Sequence, residues 1–153
     1  MVSLRQTFAH NLRRLREERG WSQDDLAERL ETDRTSISRI ERLAPNVALD
    51  KVALVALAFG IDARHLLSVA PRDAKAAGAG SRRELPTPQL VGAAVRHHRE
   101  AAGISQRELG DRVGLDRNHI SRIEVGSTNI ALDTLEKVAA ALRVPPADLL
   151  GLK

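Results

Sequence analysis

The sequence predicts an all-α protein built as two tandem five-helix domains joined by a linker. Three observations lead there. Sliding the chain by 83 residues aligns 8–67 with 91–150 without a gap, with 24 identities in 60 positions. Helix start and stop signals recur at the same offsets in both copies, and no useful stretch alternates apolar and polar residues with period two. A unit of about 60 residues is long enough to fold alone, so the repeat predicts domains at 1–68 and 89–153 rather than a solenoid. The intervening 69–88, "VAPRDAKAAGAGSRRELPTP", is rich in Ala, Gly, Pro and charge and reads as a linker.

Each element has its own justification. Helix one is expected over 5–19 and 90–102, where Gly20 and Gly103 offer the left-handed residue that ends a helix. Helix two opens on Ser22 with Asp25 three residues later, and on Ser105 with Glu108, the pattern of a capping box. The apolar pairs Trp21 with Leu26 and Ile104 with Leu109 frame these starts as hydrophobic staples. Helix three follows Asp33 or Asp116 as N-cap and is expected to reach 41 or 124. A fourth helix is expected over 48–59 and 131–142, and a short fifth over 62–68 and 146–150. Only three or four residues part helices two and three, so the two must cross steeply, as in a helix-turn-helix.

Composition narrows the function classes. The chain has 153 residues, 42% hydrophobic and 29% charged, which describes globular domains. Its aromatics are Phe8, Trp21 and Phe59, too few for base-stacking platforms on single strands. Without cysteine, disulfides and thiolate metal sites are excluded, and a cytoplasmic location is expected. No apolar run approaches the roughly 20 residues of a membrane span, and "MVSLRQTFAH" lacks the apolar region of a signal peptide. The net charge of +4 is too small to identify a partner, but 20 of the 24 cations are Arg. Their distribution over the helix faces therefore decides the matter.

The segments "TSISRIE" at 35–41 and "NHISRIE" at 118–124 supply that distribution. Ile37 and Ile40 lie three apart and share one face, as do Ile120 and Ile123; these faces must be core. Arg34, Thr35, Ser38 and Arg39 then point elsewhere, matched by Arg117, Asn118, Ser121 and Arg122. Arg forks fit guanine O6/N7, Asn fits adenine N6/N7, and Ser and Thr suit mixed contacts, so each helix carries what major-groove reading needs. Gln23 and Gln106 stand at the first position of helix two, beside exposed amides, where a phosphate oxygen would bind.

On these residues both repeats resemble the helix-turn-helix domain of the Xre/Cro-like repressors, a lambda-repressor-like fold. The resemblance rests on "SQDDLAERL…RTSISRIE" and "SQRELGDRV…RNHISRIE", with "ALDKVALVALAFGIDARHLL" and "ALDTLEKVAAALRVPPADLL" behind them, roughly 120 of the 153 residues. It implies that helix three enters the major groove of double-stranded operator DNA. It also implies base-facing roles for Arg34, Thr35, Ser36, Arg39, Arg117, Asn118, His119 and Arg122, and backbone contacts from Asn46 and from Ser127 through Asn129. Arg16 with Glu41, and Arg99 with Glu124, occupy positions commonly ion-paired in the family and are assigned to the scaffold. Two positions depart from the pattern: Leu43 stands where the family has Gly, and His98 stands where Leu15 packs in the first copy.

The expected function is thus a sequence-specific regulator, in the first place a repressor, reading two half-sites with one chain. A flexible linker of about 19 residues has an r.m.s. span near 25 Å, and reaches about 60 Å when extended, against about 34 Å between half-sites one turn apart. Homodimerisation onto four half-sites stays open, as does an antitoxin or coactivator role in which one domain holds a protein. No catalytic constellation, cofactor, metal or small-molecule ligand is indicated. His97 and His98 are adjacent on a helix and so diverge, with no ligand cluster beside them. Arg82 and Arg83 in the linker would either touch phosphates or simply solubilise it.

Overall fold

The structure, a computed structural model, describes residues 3–68 and 86–151. The predicted linker at 69–88, with Arg82 and Arg83, lies outside the described residues except for its last three positions. Eight α-helices and two 3₁₀ turns are present, with no β-strand among the described residues. In order they are α1 Leu4–Glu18, α2 Gln23–Arg29, α3 Arg34–Leu43 and α4 Leu49–Phe59, then a 3₁₀ turn at Ala63–Leu66. The series repeats as α5 Pro88–Ala101, α6 Gln106–Val113, α7 Arg117–Val125 and α8 Leu132–Leu142, with a 3₁₀ turn at Pro146–Leu150. The chain divides into two compact units, one carrying α1–α4 and the other α5–α8. No described helix is long and apolar enough to cross a membrane.

In the first unit, Ser3 starts α1 with a closed capping box. The Gln6 amide donates to Ser3 Oγ and the Ser3 amide donates to Gln6 Oε1, at 3.3 and 3.0 Å. Gly20 follows the helix at φ +70°, the left-handed conformation expected of it. The box of α2 is also closed both ways, between Ser22 and Asp25. Asp33 caps α3 by accepting from the Ser36 amide at 2.7 Å. The core gathers Phe8, Leu12 and Leu15 from α1, Leu26 from α2, Ile37 and Ile40 from α3, Val52, Val55 and Phe59 from α4, and Leu66. Each such side chain contributes about 1.5–3 kcal/mol on burial. Asn11 is, with Thr7, a polar member of this core: its Nδ2 donates to the carbonyls of His65, Leu66 and Ser68, tying α1 to the 3₁₀ turn.

The second unit repeats the plan with its own punctuation. Helix α5 starts at Pro88, two residues before the expected 90, because Thr87 caps it and Pro is pre-set for the first helical position. The Glu108 amide donates to Ser105 Oγ, and Asp116 accepts from the His119 amide at 2.7 Å. Val91, Val95, Leu109, Ile120, Ile123, Leu132, Leu135, Val138 and Leu149 form the core. At Gly92, α5 presses against α7 so closely that a Cβ would collide with the carbonyl oxygens of Ile123 and Glu124.

Several boundaries differ from expectation. The fifth helix of each unit is a single 3₁₀ turn of four or five residues, too short to sustain α-type bonding. Helix α3 extends to Leu43 because the left-handed stop falls on Ala44, at φ 45°, whereas α7 stops at Val125 because Gly126 takes φ 79°. The Leu43-for-Gly exchange thus lengthens the third helix by one residue. His98 is half-buried where Leu15 is fully enclosed.

Candidate nucleic-acid interface

Helix α3 turns Ile37 and Ile40 into the core and leaves Arg34, Thr35 and Arg39 exposed, with Ser36 and Ser38 half-buried. Helix α7 has the same map: Ile120 and Ile123 are buried, Arg117, Asn118 and Arg122 exposed, His119 and Ser121 half-buried. The steep placement behind each follows from four residues between α2 and α3 and three between α6 and α7. Each turn needs one left-handed residue. Gly114 supplies it at φ 75° in the second unit, and Glu31 takes it at φ 54° in the first.

The arginines differ in how far they are committed. Arg13, Arg14, Arg16, Arg64, Arg96 and Arg99 are ion-paired to carboxylates. Arg34, Arg39, Arg117 and Arg122 make no ion pair among the described residues, so their guanidinium forks are uncommitted. Five residues apart along a helix, each pair of forks is offset by about 7.5 Å along the axis. They are also turned about 140° apart around it, so the two long side chains flank the outward face, from which each fork can reach a base edge.

Beneath α3 and beneath α7 sits a buried fork-to-fork pair. Arg16 Nε donates to Glu41 Oε2 at 2.7 Å and Nη2 to Oε1 at 2.9 Å, while Nη1 donates to the Trp21 carbonyl at 2.8 Å. The second unit repeats this with Arg99, Glu124 and the Ile104 carbonyl at 2.7, 3.1 and 2.8 Å. These side chains are 12% exposed for each Arg and 5% and 3% for the two Glu. Hydrogen bonding to the carboxylate holds each guanidinium above its ordinary pKa, against the opposing effect of burial.

The predicted phosphate residues have an unforeseen attachment. Gln23 Nε2 donates to Glu41 Oε1 at 3.4 Å, and Gln106 Nε2 to Glu124 Oε1 at 3.2 Å. An amide nitrogen has two N–H donors, so one is turned to the ion pair and one is left for an outside acceptor. Among the loop residues, Asn46 and Asn129 are exposed, and Ser127 Oγ donates to the Arg122 carbonyl at 3.3 Å, closing the end of α7. Neither Gln–Glu bond was legible in the sequence, although the repetition of Gln, Arg and Glu at fixed offsets was the available signal.

Two further features escaped the sequence reading. Trp21 stacks on Phe59, with ring centroids 5.2 Å apart, and the Arg29 guanidinium lies 4.0 Å from the Trp21 centroid. In the second unit, a cavity of about 920 Å³ opens between the starts of α6 and α7. Gln106, Arg107, Arg117 and Asn118 stand on its wall with Asp111 and Asp116. It brings together three of the predicted contact residues and adds Arg107. The described residues contain no cluster of His, Asp and Glu fit to hold a metal.

Comparison with known proteins identifies the family. The family profile described as Helix-turn-helix (HTH_3) matches twice, at residues 12–66 and 95–149, together more than half of the chain. A hypothetical transcription factor of Neisseria meningitidis serogroup B is 42% identical over 64 residues, 42% of this chain and 60% of that protein. Control protein C.BamHI of Bacillus amyloliquefaciens is 44% identical over 62 residues, 40% of this chain and 76% of the relative. The crystal structure of hypothetical transcription factor NHTF from Neisseria is similar at 41% identity and a TM-score of 0.41, over 43% of this chain and 76% of that one.

Proposed function

This chain belongs to the Xre-like helix-turn-helix family of transcriptional regulators, and from that premise we propose that it reads double-stranded DNA with α3 and α7, one half-site for each. The domains at 1–68 and 89–153 are the reading units, and 69–88 tethers them, so that binding by one raises the effective concentration of the other. Occupancy is the regulatory act, which makes the protein a repressor wherever its operator overlaps a promoter. The names of the relatives, a transcription factor and a control protein, support a regulatory role.

The observation that carries this reading is the duplicated pair of uncommitted forks. Arg34 with Arg39, and Arg117 with Arg122, are exposed and make no ion pair among the described residues, as is also true of Arg42, Arg107 and Arg112; what sets the four apart is their repeated place, first and sixth in α3 and in α7. Arg34, Arg39, Arg117 and Arg122 therefore face bases, with Thr35, Ser36, Ser38, Asn118, His119 and Ser121 between them. Gln23, Gln106, Asn46, Ser127 and Asn129 hold the backbone. Because Thr35-Ser36 and Asn118-His119 differ, the two half-sites differ in sequence. The test is selection of duplexes from random sequence, then footprinting of the wild type, Arg39→Ala and Arg122→Ala. Each substitution is expected to cost about 1–3 kcal/mol and to relax one half-site. If neither alters specific binding, the base-reading assignment is wrong.

A further inference from the structure

The two units differ in charge where they face the proposed duplex. Residues 22–43 carry four Arg against six carboxylates, and residues 105–126 carry four Arg against four. Asp24 and Arg107 are aligned by the repeat and contribute most of this difference. Asp24 has an ordinary explanation, since a carboxylate in the first turn of a helix is stabilised by the exposed amides there. Arg107 has the opposite sign at the same place in α6, and so works against the helix dipole. It gains no compensating partner: among the described residues it makes no ion pair, although Glu108 and Asp111 are near in sequence. Its side chain instead stands on the wall of the α6–α7 cavity, with Gln106, Arg117 and Asn118 and with the carboxylates of Asp111 and Asp116, the latter turned to the His119 amide.

We propose that Arg107 is a further DNA-backbone contact, and that it makes the second domain the anchoring half of the protein while Asp24 makes the first the weaker half. This rests on the reading of both domains as DNA-binding. The chemistry is that of a guanidinium donating to a phosphate oxygen on the strand that crosses the cavity mouth, beside the free N–H of Gln106. In the first domain a phosphate at the corresponding place meets the Asp24 carboxylate and is repelled. Binding is therefore ordered: the second domain engages its half-site first, and the tethered first domain follows.

The test uses the full chain on a selected duplex carrying both half-sites, with each half-site assigned to its domain by the Arg39→Ala and Arg122→Ala footprints. Wild type is expected to protect the second domain's half-site at lower protein concentration. Arg107→Asp should weaken binding about 10- to 100-fold and reduce the slope of log affinity against log salt by about 0.9. Asp24→Arg should strengthen binding and steepen that slope, and the double exchange should reverse the order of protection. Both positions are exposed, and unchanged circular dichroism shows that folding is intact. If wild type binds specifically but the exchanges leave order and slope unchanged, Arg107 is no contact and the ordering is overturned. If wild type protects no selected duplex, the DNA-reading function falls, and this proposal with it.

Discussion

Removing Glu41 should nearly unfold the first unit. The carboxylate accepts two bonds from Arg16 and one from Gln23, with only 5% of its side chain exposed. In Glu41→Ala the Arg16 guanidinium, 12% exposed, keeps its charge and loses its counter-ion. Leaving one partner of such a pair uncompensated costs about 3–5 kcal/mol. A domain of this size holds about 3–10 kcal/mol in total, at about 0.05–0.15 kcal/mol per residue. The loss is therefore comparable with the whole stability of the unit.

The assay is built into the chain. Trp21 is the single tryptophan and belongs to the first unit, where it stacks on Phe59 and accepts from Arg16 through its carbonyl. Urea unfolding followed by fluorescence thus reports on that unit, while far-ultraviolet circular dichroism reports on both. With a slope near 1 kcal/mol per molar urea, a loss of about 3 kcal/mol lowers the fluorescence midpoint by about 3 M. Glu124→Ala should leave the fluorescence midpoint in place and produce an early step in the dichroism. The double variant Arg16→Met/Glu41→Leu should recover much of the loss, since apolar replacements of a buried pair are often neutral. A change below about 1 kcal/mol in Glu41→Ala would refute the argument that the pair is a desolvated clamp.

Gly92→Ala should destabilise the second unit by about 1–3 kcal/mol, measured by urea titration, because its Cβ enters the Ile123 and Glu124 carbonyls. Glu31→Gly should stabilise the first unit by up to about 1 kcal/mol, the steric cost of about 1–2 kcal/mol at φ 54° less the roughly 0.5–1 kcal/mol of backbone entropy that glycine loses on folding; a lowered fluorescence midpoint refutes this. The amides that bind Asp33, first of all that of Ser36, hold its carboxyl below the usual carboxylate range. A depressed folded value means that this stabilisation is complete above the ordinary Asp pKa and is lost as pH falls through the depressed one. The melting-temperature advantage of wild type over Asp33→Asn should accordingly shrink in acid, and an advantage that grows would contradict the sign.

The sequence was most legible where local chemistry dictates local structure. Ser22, Asp33, Ser105 and Asp116 are N-caps because a side-chain oxygen meets an amide three residues on, which involves no distant partner. The inward faces of α3 and α7 followed from two Ile three residues apart. What escaped depends on separations that no local rule covers. Asn11 reads as an ordinary polar residue on α1 until the turn at 65–68 brings three carbonyls to its amide. The Gln23 bond to Glu41 spans 18 residues, and its role beside the ion pair appears only once α2 and α3 have crossed.

The two copies place strain and support differently. The second uses glycine at both left-handed stops around its reading helix, Gly114 and Gly126. The first puts Glu31 and Ala44 there, at a steric cost of about 1–2 kcal/mol each, while the second bears such a cost at Arg143, φ 58°, where the first has Gly60. It has supports the second lacks at the aligned positions: Asn11 against Ala94, and the Trp21–Phe59 stack against Ile104 and Leu142. Three bonds to backbone carbonyls, at about 0.5–1.5 kcal/mol each, are of the size needed to offset that strain. The copies therefore reach one helix-turn-helix geometry by separate balances, with Ile37-Ser38-Arg39-Ile40-Glu41 and its repeat common to both. The copies differ in charge outside that geometry, at the exposed Asp24 and Arg107, where a change of sign disturbs no buried contact but reverses the interaction with the helix dipole and, on the proposal above, what each domain presents to a phosphate.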